Sequence, residues 1–156
     1  MADAPLTADE EKLWRALLRI VASLPRLLDE DLLRSTGVSL TEYATLMNLS
    51  EAENHEMRLT DLANATGLSL SRISRVVDGL RARQLVTKRR AAGDTRGTIA
   101  SLTPAGLQRL VNAYPDHLRS ARLRVLDHVD PAEAARAAET LALIAERMAE
   151  SVFTHD

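Results

Sequence analysis

The chain has 156 residues, 46% of them hydrophobic, a formal charge of −2 and no cysteine. That length suits one domain with a proper core, and the missing cysteine excludes disulfides, thiolate metal sites, cysteine nucleophiles and thiol redox sensing together. With no run of 18 apolar residues and an acidic opening, "MADAPLTADEEK", the expectation is a soluble cytoplasmic protein with no membrane partner.

Helix starts come first along the chain. Thr7 with Glu10, Ser39 with Glu42 and Asp130 with Glu133 have capping-box spacing, in which cap oxygen and carboxylate satisfy orphan amide donors reciprocally. Pro104 and Pro131 stand at the favoured first helical position after Thr103 and Asp130. The first helix is predicted from about Ala8 to Ser35, kinked at Pro25 and closed by a left-handed Gly37. Its stripe is Leu13, Leu17, Ile20, Leu24, Leu27 and Leu28; Trp14 belongs to a core or an interface. A second helix, from Leu40 to about Ser50, buries Tyr43, Leu46 and Met47, and "ENHEMR" follows as a polar connector. Thr60 caps a short helix from Asp61 to Thr66, Gly67 makes a turn, and Ser69 caps a helix from Leu70 to about Arg83. There the apolar face is Leu70, Ile73, Val76, Val77 and Leu80, leaving Ser71, Arg72, Ser74, Arg75 and Asp78 outward. "LVTKRRA" and "TIASLT" read as strands flanking the turn "AGDTRG", a hairpin. Two long helices complete the chain, with stripes from Leu107 to Val125 and from Ala134 to Val152.

Charge is segregated along this order. Arg72, Arg75, Arg81, Arg83, Lys88, Arg89, Arg90 and Arg96 stand against Asp78 and Asp94, so eight cations less two anions give +6 locally and leave −8 elsewhere. Such segregation suits a polyanion. The fold class expected is mainly α with a small β-hairpin wing: a winged helix-turn-helix lobe over 39–103 and helical dimerisation segments over 1–38 and 104–156, all in one domain. In that arrangement the second helix of the turn enters a DNA major groove. Arg72 occupies the third helical position, where a capping box wants Glu or Gln and the positive helix end disfavours a cation; an external anion would resolve that conflict. Arg72 and Arg75 can pair bidentately with guanine, and Ser69, Ser71, Ser74 and Thr60 suit phosphates or base edges. Asp94 and Arg96 fit a tip that enters a minor groove, with Lys88, Arg89 and Arg90 along the flanking backbone.

The run from Met57 to Gly106, with its wing pattern of Asp94, Arg96, Leu102 and Thr103, resembles the core of the MarR family of bacterial transcription regulators. The resemblance implies a homodimer with intertwined terminal helices, acting as a ligand-responsive repressor on a pseudo-palindromic double-stranded DNA operator. Gln84 departs from the glycine usual there; if left-handed, it costs on the order of 1 kcal/mol. The resemblance further implies a small phenolic or anionic effector, with Ile20, Leu24, Tyr43, Met47, Tyr114 and His117 as candidate walls. No cofactor and no enzymatic activity are expected, and His55, His117, His128 and His155 lack metal-ligand spacing. The rival function is a winged-helix adaptor that binds protein rather than DNA.

Overall fold

A computed structural model describes residues 4–91 and 97–153, with side chains through Met148. Two compact units make up the chain, Met1–Ser120 and Ala121–Asp156.

In the first unit, α1 runs Ala8–Thr36, passes through Pro25 and closes at Gly37 with φ of +67°. Its capping box forms as predicted: the Thr7 amide donates to Glu10 Oε2 at 2.7 Å and the Glu10 amide to Thr7 Oγ1 at 3.3 Å. Hydrogen bonds from the Thr7 backbone and hydroxyl hold the Glu10 carboxyl below the usual carboxylate range. The second box also forms, starting α2 (Leu40–Glu51), with Ser39 N–H to Glu42 Oε2 at 3.0 Å and Glu42 N–H to Ser39 Oγ at 3.1 Å. Asp29 of α1 accepts the Leu40 amide at 2.7 Å and pins the start of α2.

The connector after α2 is not merely polar linker. A 3₁₀ turn over Glu53–His55 leads into strand β1 (Glu56–Arg58), so the sheet has three strands where sequence implied two. Three residues carry no visible alternation; their pairing with a later strand creates the strand. β1 feeds straight into α3 (Leu59–Thr66), which corrects the expected cap. The backbone is still extended at Arg58, the N-cap, which makes no side-chain cap bond. Thr60 is already inside the helix, donating at 3.4 Å to the Asp61 carboxylate.

Gly67, at φ of +66°, turns the chain toward α4 (Leu70–Ala82), which is followed by β2 (Val86–Arg90) and β3 (Thr98–Leu102). The sheet is antiparallel in the order β1-β3-β2, with Met57 and Lys88 both opposite Ala100. Its inner face joins the helices around a core in which Leu32, Leu46, Leu49, Leu62, Ile73, Val77, Leu80 and Ala100 are fully buried. Each such leucine or isoleucine contributes about 1.5–3 kcal/mol by leaving water. Leu70 departs from expectation: it is 51% exposed, because the first turn of α4 projects past the core.

Helix α5 (Pro104–Arg124) starts on a tight seam. Gln84 takes φ of +60° directly after α4, and the Thr103 hydroxyl donates to the Gln84 carbonyl at 2.8 Å while its amide donates to Leu85 O at 3.1 Å. A Cβ on Gly106 would meet Leu85 O at 2.0 Å, so only glycine permits this approach.

In the second unit, a 3₁₀ turn over Leu126–His128 precedes α6 (Ala134–Phe153). The capping box expected at Asp130 does not form. Asp130 Oδ1 instead accepts the Ala132 amide at 2.9 Å, closing a turn over 131–133, and the helix begins three residues later than Pro131.

Candidate nucleic-acid interface and an adjoining cleft

Ser69 caps α4 as predicted, its hydroxyl accepting the Arg72 amide at 3.4 Å. The first turns of α1, α2 and α3 carry acids, whereas that of α4 carries none. Its positive end is therefore left open beside Ser71, Arg72 and Arg75, all exposed.

Ion pairs sort the basic residues. Arg83 pairs with Glu42 at 3.0 Å, Arg81 with Asp78 at 3.7 Å, Lys88 with Asp78 at 3.1 Å and Arg89 with Glu56 at 2.5 Å. Among the described residues, Arg72, Arg75 and Arg90 have no acidic partner. Asp94 and Arg96 lie outside the described residues, as does the tip they were expected to form. Glu56 binds three strands together: from β1 it accepts Ser101 Oγ of β3 at 2.7 Å and Arg89 of β2. Those bonds, Ser101's first and Arg89's second, hold its carboxyl below the usual range.

Between α4 and the sheet lies a cleft of about 420 Å³ lined by Arg58, Thr60, Leu70, Ser74, Lys88 and Thr98, among others. Thr60, Ser74 and Lys88 thus come together although 28 positions separate the first from the last. Sequence reasoning missed Arg58, Leu70 and Glu56 here. Leu70 carried a faint signal: a leucine directly after a cap, ahead of two serines and two arginines, stands at the edge of the apolar stripe.

A second cleft, of about 350 Å³, has mainly apolar walls formed by Tyr43, Met47, Leu107, Leu110, Val111 and Tyr114, with Ser50 and Glu51 at its polar side. Tyr43, Met47 and Tyr114 are brought together as expected; Ile20 and Leu24 do not line it. His117 stacks on Tyr43 with ring centroids 4.3 Å apart. Its Nδ1 is buried without a hydrogen-bond partner, and burial lowers its pKa. Burial, then the Tyr114 and Glu51 charges, raise that of Tyr43. Pro115 lacks an amide, so the Val111 carbonyl beside this cleft has no helical donor. Among the described residues no group of acids and histidines could hold a metal ion, and no helix is long and apolar enough to cross a membrane.

A capped helix with an open positive end, turned against a three-stranded wing, defines a winged helix-turn-helix fold. Residues 36–97 match the profile of the MarR family. Over 92% of its length the chain is similar to Sco3205, a MarR family transcriptional regulator from Streptomyces coelicolor solved in complex with DNA, at 31% identity, TM-score 0.83 and 91% of that chain. AbsC, a MarR family transcriptional regulator from the same organism, is similar over 93% of this chain and 97% of its own at 34% identity and TM-score 0.81. The HTH-type transcriptional repressor YetL of Bacillus subtilis is 31% identical over 81 residues, 52% of this chain and 48% of that protein. This chain thus spans about half the length of the curated relatives it matches. It belongs to the MarR family.

Proposed function

We propose that this protein is a sequence-specific double-stranded-DNA-binding transcriptional repressor acting as a homodimer. One observation carries the reading: Arg72 and Arg75 stand exposed and without acidic partners at a positive helix end whose first turn carries no acid, while the neighbouring Arg81, Arg83, Lys88 and Arg89 are paired. On α4 the two arginines offer bidentate contacts to guanine, and exposed Leu70 offers an apolar contact to a thymine methyl. Arg90 extends the contact along the backbone. The dimer is supported by apolar side chains left in water: Trp14, Leu18 and Val21 on α1, and Leu141, Ile144 and Met148 on α6. A two-fold pair would present its recognition helices to half-sites about one DNA turn apart.

The Tyr43–Tyr114 cleft is the candidate effector site. Its walls are apolar and its charged lining residue is the carboxylate of Glu51, which favours an uncharged phenolic or other aromatic molecule over an anion. Such a molecule would regulate DNA affinity only through its preference for one dimer conformation.

The test is binding to a duplex selected from a random library with the wild-type protein. Three unpaired cations on each of two protomers, at about 0.9 each, predict a log-log salt slope near −5. A slope near zero eliminates DNA binding and leaves the protein-binding adaptor. Sedimentation should show twice 17.1 kDa, and Trp14 emission should shift red on dilution to monomer.

A further inference from the structure

We infer that Lys88 is a positioning residue that fixes the wing against the recognition helix, and that it makes no phosphate contact. The inference rests on the DNA-binding reading above. Lys88 lies mid-strand in β2, its side chain only 19% exposed. Its Nζ donates to Asp78 Oδ1 at 3.1 Å and to Ser74 Oγ at 3.2 Å. Ser74 and Asp78 are four residues apart, so they stack on one face of α4. A single ammonium therefore spans a helical turn from a neighbouring strand.

Two of its three donors are committed to protein. Its charge is met at contact distance by Asp78, a carboxylate that Arg81 also approaches at 3.7 Å. A cation already neutralised this way displaces few counterions from DNA, unlike Arg72, Arg75 and Arg90. Beyond the hydrogen-bonded turn at its C-terminal end, where the Leu85 amide donates to Leu80 O at 3.0 Å, α4 meets the sheet through the shared core of Val77, Leu80, Val86 and Ala100. Apolar contact is non-directional and sets no angle. The charge-assisted bonds of Lys88 are directional and set both tilt and distance between helix and wing. On the DNA-binding reading the helix and the described strands of the wing face neighbouring stretches of one duplex, so a displaced wing forfeits its own contacts first.

The experiment measures Kd against salt, together with hydroxyl-radical footprints, on the selected duplex for wild type, Lys88→Met, Lys88→Arg, Asp78→Asn and Arg90→Ala. Lys88→Met should weaken binding about tenfold and lose the protection flanking the major-groove footprint while that footprint persists, the salt slope falling only by the Arg90 contact that leaves with the wing. Lys88→Arg should restore both. Arg90→Ala should lower the slope magnitude by about 1.8, two protomers at about 0.9 each. Asp78→Asn, which removes the charge that neutralises the ammonium, should likewise weaken the flanking protection, and it serves should Lys88→Met fail to fold. Flanking protection left intact in Lys88→Met, or in Asp78→Asn should Lys88→Met fail to fold, overturns the positioning role, and a slope reduced by about 2 with that protection intact makes Lys88 a phosphate contact instead. Absence of salt-dependent binding by the wild-type protein overturns the parent reading instead.

Discussion

Helices α2 and α4 begin alike and are then completed differently. Both follow a serine cap in extended conformation, Ser39 at φ −72°, ψ 160° and Ser69 at φ −65°, ψ 152°. Three residues on, α2 has Glu42 and α4 has Arg72. Glu42 closes its own box and also holds Arg83, so the positive end of α2 is answered from within the fold. That of α4 is met by another cation and exposed to solvent. On the DNA-binding reading proposed above, the contrast lies in where the counter-charge comes from: the fold supplies it to the start of α2 and leaves it to an outside anion at the start of α4.

Making α4 start like α2 is the severest way to break this contrast. Arg72→Glu should complete a capping box with Ser69, raising thermal stability by a few tenths of a kcal/mol, while weakening binding to the selected duplex by roughly 100-fold or more. Anisotropy titration and a thermal melt read the two together; retained affinity would end the idea that the open helix end is reserved. The reverse edit, Glu42→Ala, removes both the α2 box and the Arg83 partner. It should cost about 1–2 kcal/mol of stability, measured by urea denaturation, with the salt slope gaining from the freed Arg83 only if that side chain reaches DNA. The far end of α4 offers a smaller change. Gln84→Gly relieves a left-handed non-glycine residue and should stabilise by about 0.5–1 kcal/mol in the same denaturation.

The smallest effect concerns the other side of α2, where Tyr43 stacks on His117. Burial depresses the His117 pKa below its ordinary 6.5. The unfolded chain therefore takes up a proton that the folded one resists, and stability falls as pH drops below about 6.5. The melting temperature lost between about pH 7.5 and about pH 5.5 should be smaller in His117→Gln.

Much of this was legible in the letters because it is local. The boxes at Thr7 and Ser39, the glycine closures at Gly37 and Gly67, the Ser69 cap and the outward arginines are all set within four residues of one another. What escaped depends on distant partners. Strand β1 exists only because β3 arrives beside it some 40 residues later, and it displaces the expected Thr60 cap by delivering an extended Arg58. Counting cations located the basic segment but could not sort it. Arg83 and Arg89 are paired by Glu42 and Glu56, at separations of 41 and 33 residues. Asp130 misled because a carboxylate two residues before an amide closes a turn as readily as it caps a helix.

The bare Cα of Gly106 has a mechanical consequence. With Leu85 lying where a methyl group would otherwise sit, and Thr103 bonded to the Gln84 and Leu85 carbonyls, the first turn of α5 and the trailing end of α4 form a joint without slack. Leu107, the residue after Gly106, and Val111, one turn further along α5, form part of the wall of the aromatic cleft. A guest wedged against that wall would act on a lever whose fulcrum is this joint, and the element beyond the fulcrum is the one that carries Arg72 and Arg75.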